Sequence, residues 1–281
     1  MHAFFLVRRS VIIAFLSLLA AGADAQTQAT QKPFEPQVGQ PGKDVVWVPT
    51  PQTMVDKMLD MAMVTPGDYV IDLGSGDGRT VITAAGRGAT ALGIEYNPEM
   101  VELSTRNAEA AGVTGKATFV KADLFESDFS KASVITMFLL PSINQQLRPK
   151  LLELKPGTRI VSNSFTMEEW RADETATVTQ DCANYCTALF WIVPAKVQGI
   201  WQLVQSTSGL VQGDLTLSQE FQMLSGTLGS APISDGRLRG DEIMFSVGTA
   251  TYTGRVNGNA MQGAISPSAG GPSGTWSATR R

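Results

Sequence analysis

Between residues 45 and 195, apolar positions recur with two alternating periods. In QTMVDKMLDMAMV, Val55, Met58, Leu59 and Ala62 fall at i, i+3, i+4 and i+7, one face of a helix, with Thr53 as its candidate cap and Pro66-Gly67 as its stop. DYVIDLG (68–74) is then a continuous apolar run of strand length, and GRTVITAAGRG a helix closed by glycine. The alternation continues through TALGIEYN (90–97, strand), PEMVELSTRNAEAAGV (helix, Pro98 in its first turn), ATFVKADLF (117–125) and ASVITMFLL (132–140), both strands. PSINQQLRPKLLELKPG places Ile143, Leu147, Leu151 and Leu154 on one helical face, and TRIVSNSF (158–165) is the fifth strand. Beyond Trp170, expected in the core, the helical period stops, and ETATVTQ and CTALFWIVP form a hairpin around Asp181 to Tyr185. Strands alternating with helices predict an α/β fold: a doubly wound, mostly parallel sheet covered on both faces, with an antiparallel last strand.

The two ends follow other patterns. Arg8-Arg9, an apolar stretch over 11–23 broken only by Ser17 and Gly22, and Ala23-Asp24-Ala25 have the three-part form of a secretory signal peptide, 1–25, too short to span a membrane comfortably. A twin-arginine route is a variant reading of the same pair. The chain is therefore expected to be exported, periplasmic or secreted, with no membrane span after cleavage. Residues 26–44, rich in Gln, Thr, Pro and Gly, read as a linker to the α/β domain at 45–195. From 196 to 281 lie 14 of the 27 glycines, separating short strand-like runs such as GIWQLV, GDLTLSQ and GTWSATR. Asp235-Gly236 and Asn257-Gly258 read as hairpin turns, so this second domain is expected as a small antiparallel β-barrel or meander, with Trp201 and Trp276 in its core.

Composition narrows the chemistry. A net charge of −4 argues against nucleic acid as a partner. The single histidine, His2, lies in the leader, so imidazole bases, triads and His metal sites fall away; two cysteines cannot build a four-Cys zinc centre, and no metal is expected. Cys182 and Cys186 flank the hairpin turn, where an exported chain would join them as a disulfide.

Asp72-Leu73-Gly74-Ser75-Gly76-Asp77-Gly78-Arg79 follows the first strand directly. Its glycines remove side chains where backbone must bend and approach a ligand, and in such a sheet ligands sit at the carboxyl ends of the strands. No Gly-Lys-Ser/Thr is present, and Asp72 and Asp77 would repel a pyrophosphate. They suit a cation instead, and S-adenosylmethionine (SAM) carries both a sulfonium and an α-ammonium. Glu95 ends the second strand, 23 residues beyond Asp72, where a carboxylate can accept both ribose hydroxyl hydrogens. At the end of the third strand, Asp123 can accept from an adenine amino group while Leu124 lies against the ring.

These residues resemble the class I, seven-β-strand SAM-dependent methyltransferases over about 45–195: residues 72–79 look like that family's first motif, Glu95 its ribose acid and Asp123 its adenine acid. VPTPQTMVDKML, GSGDGRTVITAA, GIEYNPEMVELS and LLELKPGTRIVSNSF look like the mitochondrial protein-lysine methyltransferases of the ADP/ATP carrier and the ATP synthase c-ring; LPSINQQLRPKLLELKPGTRIVSNSF also looks like the non-SET histone-lysine enzymes. The resemblance implies a Rossmann-like methyltransferase sheet, SAM as cofactor and a protein lysine as acceptor. Thr50 is the candidate contact to the SAM methionine end, and Phe138 and Thr136, near the end of the fourth strand, the candidate acceptor pocket. A small-molecule methyltransferase and a non-catalytic envelope binding protein that keeps the fold are the alternatives.

Overall fold

In the computed structural model, residues 1–2, 34–206, 210–267 and 273–281 are described. Apart from its first two residues, the leader expected at 1–25 lies outside them, as does 26–33 of the linker. The helices are α1 (Gln52–Met61), α2 (Arg79–Gly86), α3 (Pro98–Ala110) and α4 (Pro141–Leu151), and the strands with which they alternate are β1 (Tyr69–Leu73), β2 (Thr90–Glu95), β3 (Ala117–Lys121), β4 (Val134–Met137) and β5 (Arg159–Asn163). The hairpin strands β6 (Glu174–Thr177) and β7 (Thr187–Ile192) complete a seven-stranded sheet of order β3-β2-β1-β4-β5-β7-β6. β1 to β5 are parallel, and β7 runs antiparallel between β5 and the edge strand β6.

Strand alternation feeds two cores. Val70 and Val134 face Met54, Leu59, Val81 and Ala84 of α1 and α2, whereas Ile71, Leu73 and Ile135 face Ile143, Leu147 and Leu151 of α4. Trp170 is fully buried in the second core, as expected from the sequence, and accepts the Trp191 indole N–H on its carbonyl at 2.8 Å. Two local expectations change. Thr53 does not cap α1: Pro51 holds that position, and the Thr53 hydroxyl donates to the carbonyl of Asp181 at 3.4 Å. α4 stops at Leu151, but Leu154 is still buried against the same core.

The tail is a closed barrel of eight antiparallel strands: β8 (Gly199–Ser206), β9 (Leu210–Glu220), β10 (Met223–Leu228), β11 (Ala231–Arg239), β12 (Glu242–Val247), β13 (Ala250–Asn257), β14 (Ala260–Pro267) and β15 (Gly274–Arg280), with β15 paired to β8. Closure leaves no sheet edge. Trp201 and Trp276 are buried inside, with Phe245 stacked on Tyr252 at 4.8 Å. The hairpin expected at Asn257-Gly258 forms, with Gly258 at φ 57° between paired Asn257 and Ala260. Asp235-Gly236 is not a turn. It lies inside β11, where the register slips between Ser234 and Arg237 and Asp235 takes φ 52°, so the same residues make a bulge that bends the strand around the barrel.

Phe34–Arg281 forms one compact unit. The barrel meets the sheet at the β6–β7 edge: Arg237 pairs at 2.7 Å with the buried Asp173, which also accepts the Ile192 amide at 2.9 Å, and Phe221 stacks on Trp170 at 6.1 Å.

Candidate active site

At the end of β1 the chain turns sharply, with the Gly74 and Ser75 amides both donating to the Ile94 carbonyl at 2.9 and 3.0 Å. The turn needs glycine twice over. Gly78, at φ 84°, precedes α2, and a Cβ there would meet Ser104 Cβ at 2.5 Å and the Phe119 ring at 2.8 Å. Gly76, at φ 53°, lies beneath Trp47, whose indole nitrogen would be 2.6 Å from an added Cβ.

Asp72 is buried at the floor of the resulting cleft, and register explains its partner. β1 and β4 pair Asp72 with Thr136, whose hydroxyl donates to its Oδ1 at 2.6 Å. Burial pushes the Asp72 carboxyl up to about 7, and the Glu95 and Asp77 carboxylates push the same way against the Thr136 hydrogen bond. Thr136, expected in the acceptor pocket, is fully buried underneath and positions Asp72 instead. Glu95 is held on both oxygens, by the Gly76 amide at 2.9 Å and the Asn97 amide at 2.9 Å. Asp77 contributes less free charge than the sequence suggested. Arg79 grips it with Nε to Oδ1 at 3.0 Å and Nη2 to Oδ2 at 2.6 Å, then donates to the Thr50 carbonyl at 2.8 Å.

Thr50, Gly74, Ser75, Leu124 and Phe138 also line the cleft. Ser75 Oγ is buried without a hydrogen-bond partner among the described residues, an orphaned polar atom beside the glycines. Asp123 is at the expected place, but it is engaged: Lys43 Nζ lies 2.6 Å from Oδ2, holding the carboxyl below the usual range, and the Phe125 amide donates to Oδ1 at 2.9 Å. Lys43 and Trp47 belong to a segment read from the sequence as linker and its flank. Instead, residues 40–49 line the cleft, folded on themselves by Gly39 and Trp47 backbone hydrogen bonds of 2.8 and 2.9 Å. The signal available for this was the apolar run Val45 to Val48, too apolar for a tether.

The acids, glycines and orphaned hydroxyl fit a compact organic cation with hydroxyl and amine donors. The cleft combines a carboxyl poised near neutrality, a carboxylate on a loop amide, a third acid at an adjacent strand end and no lysine in the glycine loop.

Known proteins are similar to this part of the chain. Residues 72–174 match the ANTKMT methyltransferase domain. A protein-lysine N-methyltransferase of Saccharolobus islandicus (strain REY15A) is 46% identical over 151 residues, covering 53% of this chain and 94% of that protein. The adenine nucleotide translocase lysine N-methyltransferase of Mus musculus is 36% identical over 129 residues, 45% of this chain, and the alignment spans little more than half of that protein, 56%. A solved RNA methyltransferase from Salinibacter ruber, in complex with S-adenosyl-L-homocysteine, superposes with a TM-score of 0.50 at 46% identity, covering 53% of this chain and 96% of that one.

Proposed function

We propose, since this chain belongs to the ANTKMT methyltransferase family, that it is a SAM-dependent protein-lysine N-methyltransferase. The observation that carries the reading is the buried Asp72 at the end of β1, aligned by Thr136 and flanked by glycines and the loop-bound Glu95. When bound, SAM supplies a methyl group already activated by its sulfonium. Asp72 would neutralise the α-ammonium, Ser75 and the glycine-loop amides would meet the methionine end with Thr50, Glu95 would accept the ribose hydroxyls, and Asp123 with Leu124 would hold the adenine. Asp123 becomes available when Lys43 releases it.

For the chain itself, catalysis is then chiefly a matter of positioning. A lysine acceptor must give up its proton to solvent before its nitrogen attacks the methyl carbon, a step that needs no dedicated side-chain base. That requirement suits a site without imidazole. The net charge of −4 favours a basic protein acceptor over RNA. The leader pattern at 1–25 and the disulfide joining Cys182 and Cys186 support export to the periplasm or beyond.

Isothermal titration is the test. The folded protein is expected to bind SAM and its demethylated product with a dissociation constant of about 1–100 μM, and NAD not at all. Absence of heat with SAM from folded protein would refute the reading.

A further inference from the structure

Three aromatic side chains gather beside the cleft, and one of them, Phe138, belongs to its lining. Phe138 lines the cleft just after β4, Phe165 follows β5, and Tyr185 sits in the β6–β7 turn. Three stretches far apart in sequence thus deliver their rings to one place. Phe138 and Phe165 lie nearly parallel with centroids 5.7 Å apart, and Tyr185 meets Phe138 edge-on at 5.1 Å and Phe165 at 5.7 Å. Tyr185 is 44% exposed, and both phenylalanines are only half-buried, so ring surface faces solvent there.

The backbone around these rings is constrained. Tyr185 has φ 58°, and Ser164, immediately before Phe165, has φ 58°; non-glycine residues adopt such angles at a cost. The turn carrying Tyr185 is closed by the Cys182–Cys186 disulfide and tied to α1 through the Thr53 hydroxyl on Asp181. A short exposed turn would ordinarily leave a tyrosine free to swing.

We infer that Phe165 and Tyr185, with Phe138, form an aromatic shelf that binds the alkyl-ammonium side chain of the acceptor, with Tyr185 held in place by the Cys182–Cys186 turn. The inference rests on the lysine-methyltransferase reading and adds its specificity residues. Ring faces attract a cation, and most strongly one that is weakly hydrated. Each methyl group added to a lysine nitrogen strips hydration while leaving the charge, so the shelf holds methylated lysine better than lysine.

The test needs neither turnover nor cofactor. The probes are three capped tripeptides, Ala-X-Ala, in which X is lysine, trimethyl-lysine or the neutral isostere with carbon in place of the terminal nitrogen, titrated by ligand-observed NMR. The trimethyl-lysine peptide is expected to bind at least about tenfold more tightly than the neutral isostere. Tyr185→Ala and Phe165→Leu should each remove most of that preference, Tyr185→Phe should restore it, and the double variant Cys182→Ser/Cys186→Ser should behave like Tyr185→Ala. Equal binding of the charged and neutral peptides, or an undiminished preference in a folded Tyr185→Ala protein, overturns the shelf. SAM titration of the same samples separates the two readings: intact SAM binding without ammonium preference defeats the shelf alone, whereas lost SAM binding in the wild-type protein defeats the methyltransferase reading beneath it.

Discussion

Asp72→Asn is expected to weaken SAM binding by roughly 30- to 100-fold while making the ligand-free protein more stable. Both effects come from one carboxyl. Its ordinary value is 3.8, and burial raises it to about 7 in the folded protein. A raised acid favours the fold at pH below about 4, and that contribution is lost as pH rises through about 7. At pH 8 the ionised Asp72 therefore opposes folding by up to ~4 kcal/mol, taking 1.36 kcal/mol per pKa unit. Asparagine removes the charge and keeps an Oδ1 acceptor for the Thr136 hydroxyl. The melting temperature of Asp72→Asn should thus exceed that of the wild type by several degrees at pH 8 and converge with it near pH 4. SAM binding has the opposite dependence, because its ammonium selects the ionised carboxylate. Wild-type affinity should fall about tenfold per pH unit below 7, and the Asp72→Asn protein should lack that slope. Calorimetry and thermal unfolding across pH 5–9 check both; an Asp72→Asn protein that binds SAM like the wild type removes Asp72 from the site.

Gly78→Ala should damage the fold and the site together. Alanine at φ 84° is strained, and its Cβ would press within 2.5 Å of Ser104 Cβ and 2.8 Å of the Phe119 ring. Strain and overpacking together cost about 2–5 kcal/mol. The Gly78 amide donates to the Ser75 carbonyl at 2.9 Å, so relief of the clash would shift the loop that presents Ser75 and Gly76. Thermal unfolding should show a large drop and titration a loss of SAM binding. Gly86→Ala is the control, since a Cβ there meets nothing within 4 Å. It should leave the melting temperature unchanged or slightly raised, and equal damage at both positions would contradict the geometric account.

The sequence showed most clearly those features that local chemistry dictates. Apolar runs of strand length separated by helical periods are enough to order β1 to β5, and Asp72, Glu95 and Asp123 were legible because each lies at or just past the end of a strand. Contacts between distant segments were not legible. Nothing local in Lys43 announces an ion pair with Asp123, 80 residues away, and Thr136 could be assigned to Asp72 only once the β1–β4 register was known. The pattern Asp235-Gly236 supports a turn or a bulge equally well, since both need a left-handed residue next to glycine, and barrel curvature decides between them. Phe165 was visible only as a strand-end aromatic and Tyr185 only as a turn residue until the sheet order brought β4, β5 and the β6–β7 turn side by side.

The central claim is methyl transfer to lysine. Incubation of the protein with SAM carrying a labelled methyl group and an envelope protein extract, followed by complete acid hydrolysis and amino-acid analysis, tests it most directly. The account predicts label in Nε-methylated lysines, lost with Asp72→Asn. Label confined to small molecules, to RNA or to residues other than lysine would contradict it.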